Sequence, residues 1–127
     1  GAKKMGGTHS GNPLCCAAAM ANIDFLNNEH FQEQLCHRVG IFEKRMKLLE
    51  KFKCIDYVNA RGMVGALLFN ERKEADEAVI DMVYNGIMPV HTWSKSIKIG
   101  PPLVTPVDVL EEVFDTIEAV LERIDNK

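Results

Sequence analysis

The stretch GGTHSGNPLCC, Gly6 to Cys16, gathers three glycines, two hydroxyl side chains, a histidine and a proline just ahead of a run of small apolar residues. Glycine-rich loops that lead into a helix make anion sites, because free N–H groups point outward and the helix dipole favours negative charge there. A phosphate is the ligand such a loop could hold. The nucleotide version of the device does not fit: Gly6 and Gly11 have the separation of P-loop glycines, but Asn12 stands where the lysine must be. A second reading stays open, in which the loop is only a flexible entry and cap. Asn12 would then be the N-cap of a helix whose first position is Pro13, where a missing N–H costs nothing.

The other residues with chemistry to offer are Cys15, Cys16, Cys36 and Cys54. A zinc site joining them to His9 or His37 would need C-x-x-C or H-x-x-x-H spacing, which is absent, and adjacent cysteines on a helix point apart. Buried structural thiols in a reducing cytosol are expected instead. The chain has 127 residues, enough for one domain with a real core. With 46% apolar and 26% charged residues and a net charge of -3, acids and bases being mixed along the chain, it shows no sign of a nucleic-acid or acidic-polymer partner. No apolar run approaches the ~20 residues that would cross a bilayer.

The periodicity then supplies the elements that must position the loop. A helix is expected from Pro13 to about Leu26, with a stripe of Leu14, Ala18, Ala21 and Phe25 and sides small enough for another backbone to come close. A second helix carries Phe31, Leu35, Val39, Phe42, Met46 and Leu49, with Gly40 a possible bend. Residues 55–70 read as strand, turn and strand about Arg61 and Gly62, with Gly65 suited to a bulge or a close approach. A helix over 73–85 closes at Gly86, and short strands are expected around 87–90 and 97–99. Thr105-Pro106-Val107-Asp108 has the form of a capping box ahead of an apolar face of Val107, Leu110, Phe114, Ile117, Leu121 and Ile124. Helices at both ends with short strands between them make the fold class α+β.

Several of these segments share a resemblance. GGTHSGNPLCCAAAMANIDFL resembles the G-T-x-S/G-G-N-P segment of class III aminotransferases, the pyridoxal-phosphate enzymes of fold type I that include ornithine, acetylornithine and omega-amino-acid aminotransferases and glutamate-semialdehyde aminomutase. NARGMVGALLF looks like that family's strand with R-G-x-G, GIMPV like its next short strand, and IKIGPPLVTPVDVLEEVFDTIEAVL like its closing P-P-L and terminal helix. The order of features agrees from Gly6 onward.

The resemblance implies that the chain corresponds to the C-terminal portion of a longer enzyme: a phosphate-contact loop and linker over residues 1–12, and a small α+β domain over 13–127 with a short antiparallel sheet and a long last helix. The large domain of the family would carry the Schiff-base lysine, the aspartate that pairs with the pyridine nitrogen and the stacking aromatic. Lys3 and Lys4 do not match that lysine, and no residue of this chain is assigned to catalysis. Thr8 matches the threonine that binds the phosphate of pyridoxal phosphate across a homodimer interface. Ser10, Gly11 and Asn12 would hold the loop's shape, and His9 would be a surface or interface residue.

Lys98 falls where many members have an arginine that forks onto the substrate α-carboxylate; it keeps the charge without the planar grip, and a solvent-facing lysine is the alternative. Arg61 is expected to support strand geometry or an ion pair. The whole enzyme would be a cytoplasmic homodimer that passes an amino group between a small-molecule donor and a keto or aldehyde acceptor, and this chain alone would be inactive. Two alternatives accompany that reading. The serine of S-G-N-P leans toward an aminomutase while IKIGPPL leans back, and the chain could instead be a noncatalytic dimerisation or binding module. The apolar face of the Pro13 helix is expected to be partly exposed or covered by self-association.

Overall fold

The computed structural model describes residues 6–8 and 10–127, so Lys3, Lys4 and His9 lie outside the described residues. The chain divides into two compact units, Gly1–Gln34 and Leu35–Lys127.

In the first unit, helix α1 spans Pro13–Leu26 and helix α2, Glu29–Leu48, begins. Asn12 caps α1 as its position before Pro13 demands: the side-chain oxygen accepts the N–H of Leu14 at 2.9 Å and that of Cys15 at 3.3 Å. The Asn28 side chain accepts the N–H of Phe31 at 3.1 Å, and the Phe25 and Phe31 rings meet with centroids 4.6 Å apart. No residue of α1 is buried, and Leu14 is 80% exposed. Its apolar residues lie on every side, so no single stripe selects one packing partner. The expectation of buried thiols fails here, because Cys15 and Cys16 are both exposed.

The second unit holds the core. After the remainder of α2, which continues unbroken through Gly40, and a 3-10 turn at Leu49–Lys51, it runs through β1 (Ile55–Arg61), β2 (Val64–Phe69), α3 (Arg72–Tyr84), β3 (Val90–His91), β4 (Ser96–Ile99) and α4 (Val107–Asp125). The four strands form one antiparallel sheet in the order β1-β2-β4-β3. This is the α+β architecture expected from the alternation of patterns. The strand expected over 87–90 is shorter and later, at Val90–His91, since its pairing is set by Lys98 and Ile97 of β4.

Period-2 alternation divides the sheet into two faces. Gly65, Leu67, Phe69, Ile97 and Ile99 are buried, with Val58 and Ala60 packed against the same core. Over this face lie Phe42, Met46 and Leu49, the α3 residues Ala75, Ala78 and Met82, and the α4 residues Leu110, Phe114, Ile117, Val120, Leu121 and Ile124. Gly65 is the close approach that its position in a strand suggested. A Cβ there would sit 2.5 Å from Met46 Cε and 3.3 Å from the Asn59 carbonyl oxygen. Cys54 is the one described cysteine that is buried, while Cys36 lies on the outer side of α2.

The capping box expected at Thr105 does not form. Pro106 is the N-cap of α4, and the Thr105 hydroxyl instead donates to the Pro102 carbonyl at 2.8 Å, spent on the preceding turn. A reciprocal capping contact occurs at α3, where the Glu74 carboxylate accepts the Glu71 N–H at 2.9 Å.

Two polar clamps tie α4 to the rest of this unit. Arg45 on α2 pairs with Glu111, with Asp115 at 2.6 Å and with Glu118 at 3.0 Å, while lying 5.5 Å from the centre of the Phe114 ring. At the other end, Asp125 accepts the N–H groups of Lys53 at 2.7 Å and Cys54 at 2.8 Å. Burial, the largest single influence on Asp125, works to raise its pKa, but these hydrogen bonds outweigh it and hold the carboxyl below its ordinary value. Burial first, then the neighbouring Asp125, pushes the Cys54 thiol up to about 12.

Candidate functional site

The Gly6–Pro13 loop keeps its shape by a small set of internal bonds. The Gly7 N–H donates to the Ser10 hydroxyl oxygen at 2.7 Å, and the Ser10 N–H returns to the Gly7 carbonyl at 3.0 Å. Gly11 takes a φ of +77°, a left-handed conformation that few other residues hold without strain, and this swings the chain into the Asn12 cap. Ser10, Gly11 and Asn12 therefore do the loop-shaping expected of them. Thr8 sits exposed on the turn between them, and among the described residues none of the loop's hydrogen bonds passes through it. A Cβ on Gly7 would meet nothing within 4 Å among the described residues. A hydroxyl and a backbone N–H displayed this way suit an anion such as a phosphate.

Lys98 lies on the outer face of the sheet in the second unit. The pairs Asn59 with Ala66 and Ala66 with Lys98 set these three residues in a row across β1, β2 and β4, and Arg61 pairs with Val64 one pleat further along. Asn59, Arg61, Val64, Gly65, Ala66 and Lys98 line one shallow hollow of about 210 Å³. Arg61 was expected to support strand geometry or an ion pair, and it ends β1 opposite Val64. It makes no ion pair among the described residues, and neither does Lys98. The grouping was legible in the alternation of N-A-R, which sends Asn59 and Arg61 to one face and Ala60 to the other.

A larger hollow, about 420 Å³, lies between α3 and the loop after β3, lined by Arg72, Asp76, Val79, Ile80, His91 and Trp93. Its polar groups satisfy one another: His91 Nε2 lies 2.7 Å from Asp76, which Arg72 also approaches at 3.5 Å, and the Trp93 N–H reaches His91 Nδ1 at 3.3 Å. Trp93 carries a φ of +58°. Among the described residues no group of three or more His, Cys, Asp or Glu side chains is placed to hold a metal ion. No described helix is long and apolar enough to cross a membrane.

Residues 2–121 match the Aminotransferase class-III family, and the chain belongs to it. "Ornithine aminotransferase 1" of Staphylococcus saprophyticus is 31% identical over 118 residues, which cover 93% of this chain and 29% of that protein. The mitochondrial ornithine aminotransferase of Drosophila melanogaster is 28% identical over 116 residues, 91% of this chain and 27% of its own length. Among solved structures, an acetylornithine aminotransferase from Elizabethkingia anophelis matches with a TM-score of 0.81 at 30% identity, over 94% of this chain and 32% of that one. A PMP-bound aminotransferase from Vibrio fluvialis shares the fold, with a TM-score of 0.83 at 22% identity over 97% of this chain and 29% of that one. The chain thus spans less than a third of the length of these relatives.

Proposed function

We propose that this chain is the C-terminal portion of a pyridoxal-phosphate-dependent aminotransferase, which moves an amino group from a small-molecule donor to a keto or aldehyde acceptor. The supporting observation is the Gly6–Pro13 loop, whose bonds hold Ser10 and the Asn12 cap in place and leave Thr8 exposed. In this reading Thr8 gives its hydroxyl and N–H to the cofactor phosphate across a homodimer interface, and Lys98 holds and orients a substrate carboxylate. Bound pyridoxal phosphate would supply the electron sink that this chemistry needs. No lysine stands within the Gly6–Pro13 segment itself. The lysine that anchors the cofactor would then lie in the large domain, and the chain alone would be inactive. Residues 1–12 then act as phosphate loop and linker, and 13–127 as the small domain.

The relatives' names weigh for an aminotransferase over an aminomutase, and Ser10, which leaned the other way, is occupied in shaping the loop. The reading frame upstream of Gly1 tests the proposal. Continuation into a large domain is expected, and in that longer polypeptide Thr8→Val should weaken retention of pyridoxal phosphate about tenfold or more, followed by its absorbance during dialysis. A start codon with no such extension, or unchanged retention in the variant, would overturn the corresponding part of the reading.

A further inference from the structure

We infer that Asp76, His91 and Trp93 form a pH-sensitive latch, in which a proton taken up at His91 Nδ1 releases Trp93 from the wall of the hollow beside α3. The two ring nitrogens of His91 are committed to opposite roles. Nε2 lies 2.7 Å from an oxygen of Asp76, which as a carboxylate only accepts, so Nε2 carries the hydrogen. Nδ1 is then bare, and it accepts the Trp93 N–H at 3.3 Å. One neutral tautomer alone satisfies both contacts.

What the second bond holds is a strained residue. Among the described residues Trp93 is the only one besides glycines with a positive φ, at +58°, a region that a bulky aromatic rarely occupies. Little else restrains it: Trp93 is 78% exposed, and its ring meets the His91 ring edge-on with centroids 5.1 Å apart. The turn around it is fixed separately, since the Thr92 hydroxyl donates to the Ser96 carbonyl at 2.7 Å, so a change at Trp93 stays local. A second proton, taken from water onto Nδ1, turns the acceptor into a donor that faces the Trp93 N–H, and the strained backbone loses its tie. The Asp76 contact survives as an ion pair, so the imidazole stays and the tryptophan leaves. The charges facing the ring allow this. From α3 come Asp76 and Arg72, whose Nε lies 3.5 Å from the other Asp76 oxygen. Lys95 of the following loop is drawn to Asp56 of β1 at 3.3 Å. On β4, His91 pairs with Ile97, while Lys98 pairs with Val90 and so lies on the other face. Among the described residues Asp76 is the one carboxylate in ion-pair contact with His91. The hollow of about 420 Å³ that Trp93 walls together with Val79 and Ile80 is therefore closed by a neutral imidazole and opened by a charged one.

The test follows the 127-residue chain by NMR from about pH 8 to about pH 5, the range in which histidines ordinarily change charge. At the alkaline end the ring nitrogen shifts of His91 should report the Nε2–H tautomer, and Trp93 should show the strong cross-peak between its own N–H and Hα that a positive φ produces by bringing the two hydrogens close. On acidification that cross-peak should be lost on the same titration curve as the ring takes its second proton, while the amide shifts of the buried Leu67 and Phe114 hold still. His91→Asn places an amide near the Nδ1 position that cannot titrate, so no step should remain at Trp93. An Nδ1–H tautomer at the alkaline end, a ring that stays neutral throughout, a cross-peak unchanged while the ring titrates, or a step that survives in His91→Asn each overturns the latch. If the variant does not fold, the tautomer and the shared curve in the parent chain decide by themselves.

Discussion

Helices α1 and α4 are both rich in apolar residues, yet α4 buries six side chains and α1 none. The difference is one of arrangement. In α4 the apolar residues recur at helical spacing and acidic ones fill the opposite face, so one side is committed to the core and the other to Arg45 and solvent. In α1, Cys15 through Met20 are apolar in unbroken succession, which gives no preferred face. Apolar content alone predicts that a helix wants cover; periodicity is needed to say where that cover lies.

The contrast can be tested first by thiol chemistry. Cys15, Cys16 and Cys36 should react with a maleimide in the folded chain, while Cys54, with its thiol pushed up to about 12, should be slower by roughly a thousandfold until denaturant is added. Mass spectrometry of peptides sampled over time reads this, and fast labelling of Cys54 would mean that the α4 side of the core is open. Next in size, Phe114→Ala should cost about 3–5 kcal/mol in denaturant unfolding, whereas Leu14→Ala should fall within about 0.5 kcal/mol of the parent. Comparable losses would erase the distinction between the two helices.

Gly65→Val should destabilise by about 1–3 kcal/mol, because its side chain must displace Met46 and crowd the Asn59 carbonyl. The smallest effect concerns Asp125, whose carboxyl is held low in the folded state. A depressed carboxyl contributes stability above its unfolded pKa, and that stability fades as pH falls through the folded value. The parent should therefore lose about 1–2 kcal/mol more than Asp125→Asn as pH drops below about 4. Parallel acid-unfolding curves for the two proteins would show that the clamp carries no such weight.

The α4 stripe, the Asn12-Pro13 helix start and the close approach at Gly65 were all legible in the sequence, since each depends on local chemistry that spacing or residue type reports directly. The exposure of Cys15, Cys16 and Cys36 was not, although Cys54 is buried as expected. The small apolar run of α1 has no single stripe to say which side would be covered, so residue type alone could not place these thiols. The expected box at Thr105 failed because the same hydroxyl had a nearer acceptor in Pro102, a competition that the four-residue motif does not display. Lys98 could be singled out by resemblance. That it lines the same hollow as Arg61 needed the strand register, which brings together residues 37 positions apart.

The clamps on α4 also govern the order in which this chain can fold. Arg45 meets Asp115 across a sequence separation of 70 residues, and Cys54 meets Asp125 across 71. On a ribosome the sheet, α2 and α3 emerge before their main covering helix exists, so the inner sheet face must wait with Leu67, Phe69 and Ile97 uncovered. During synthesis, the second unit therefore cannot complete its core until α4 has emerged.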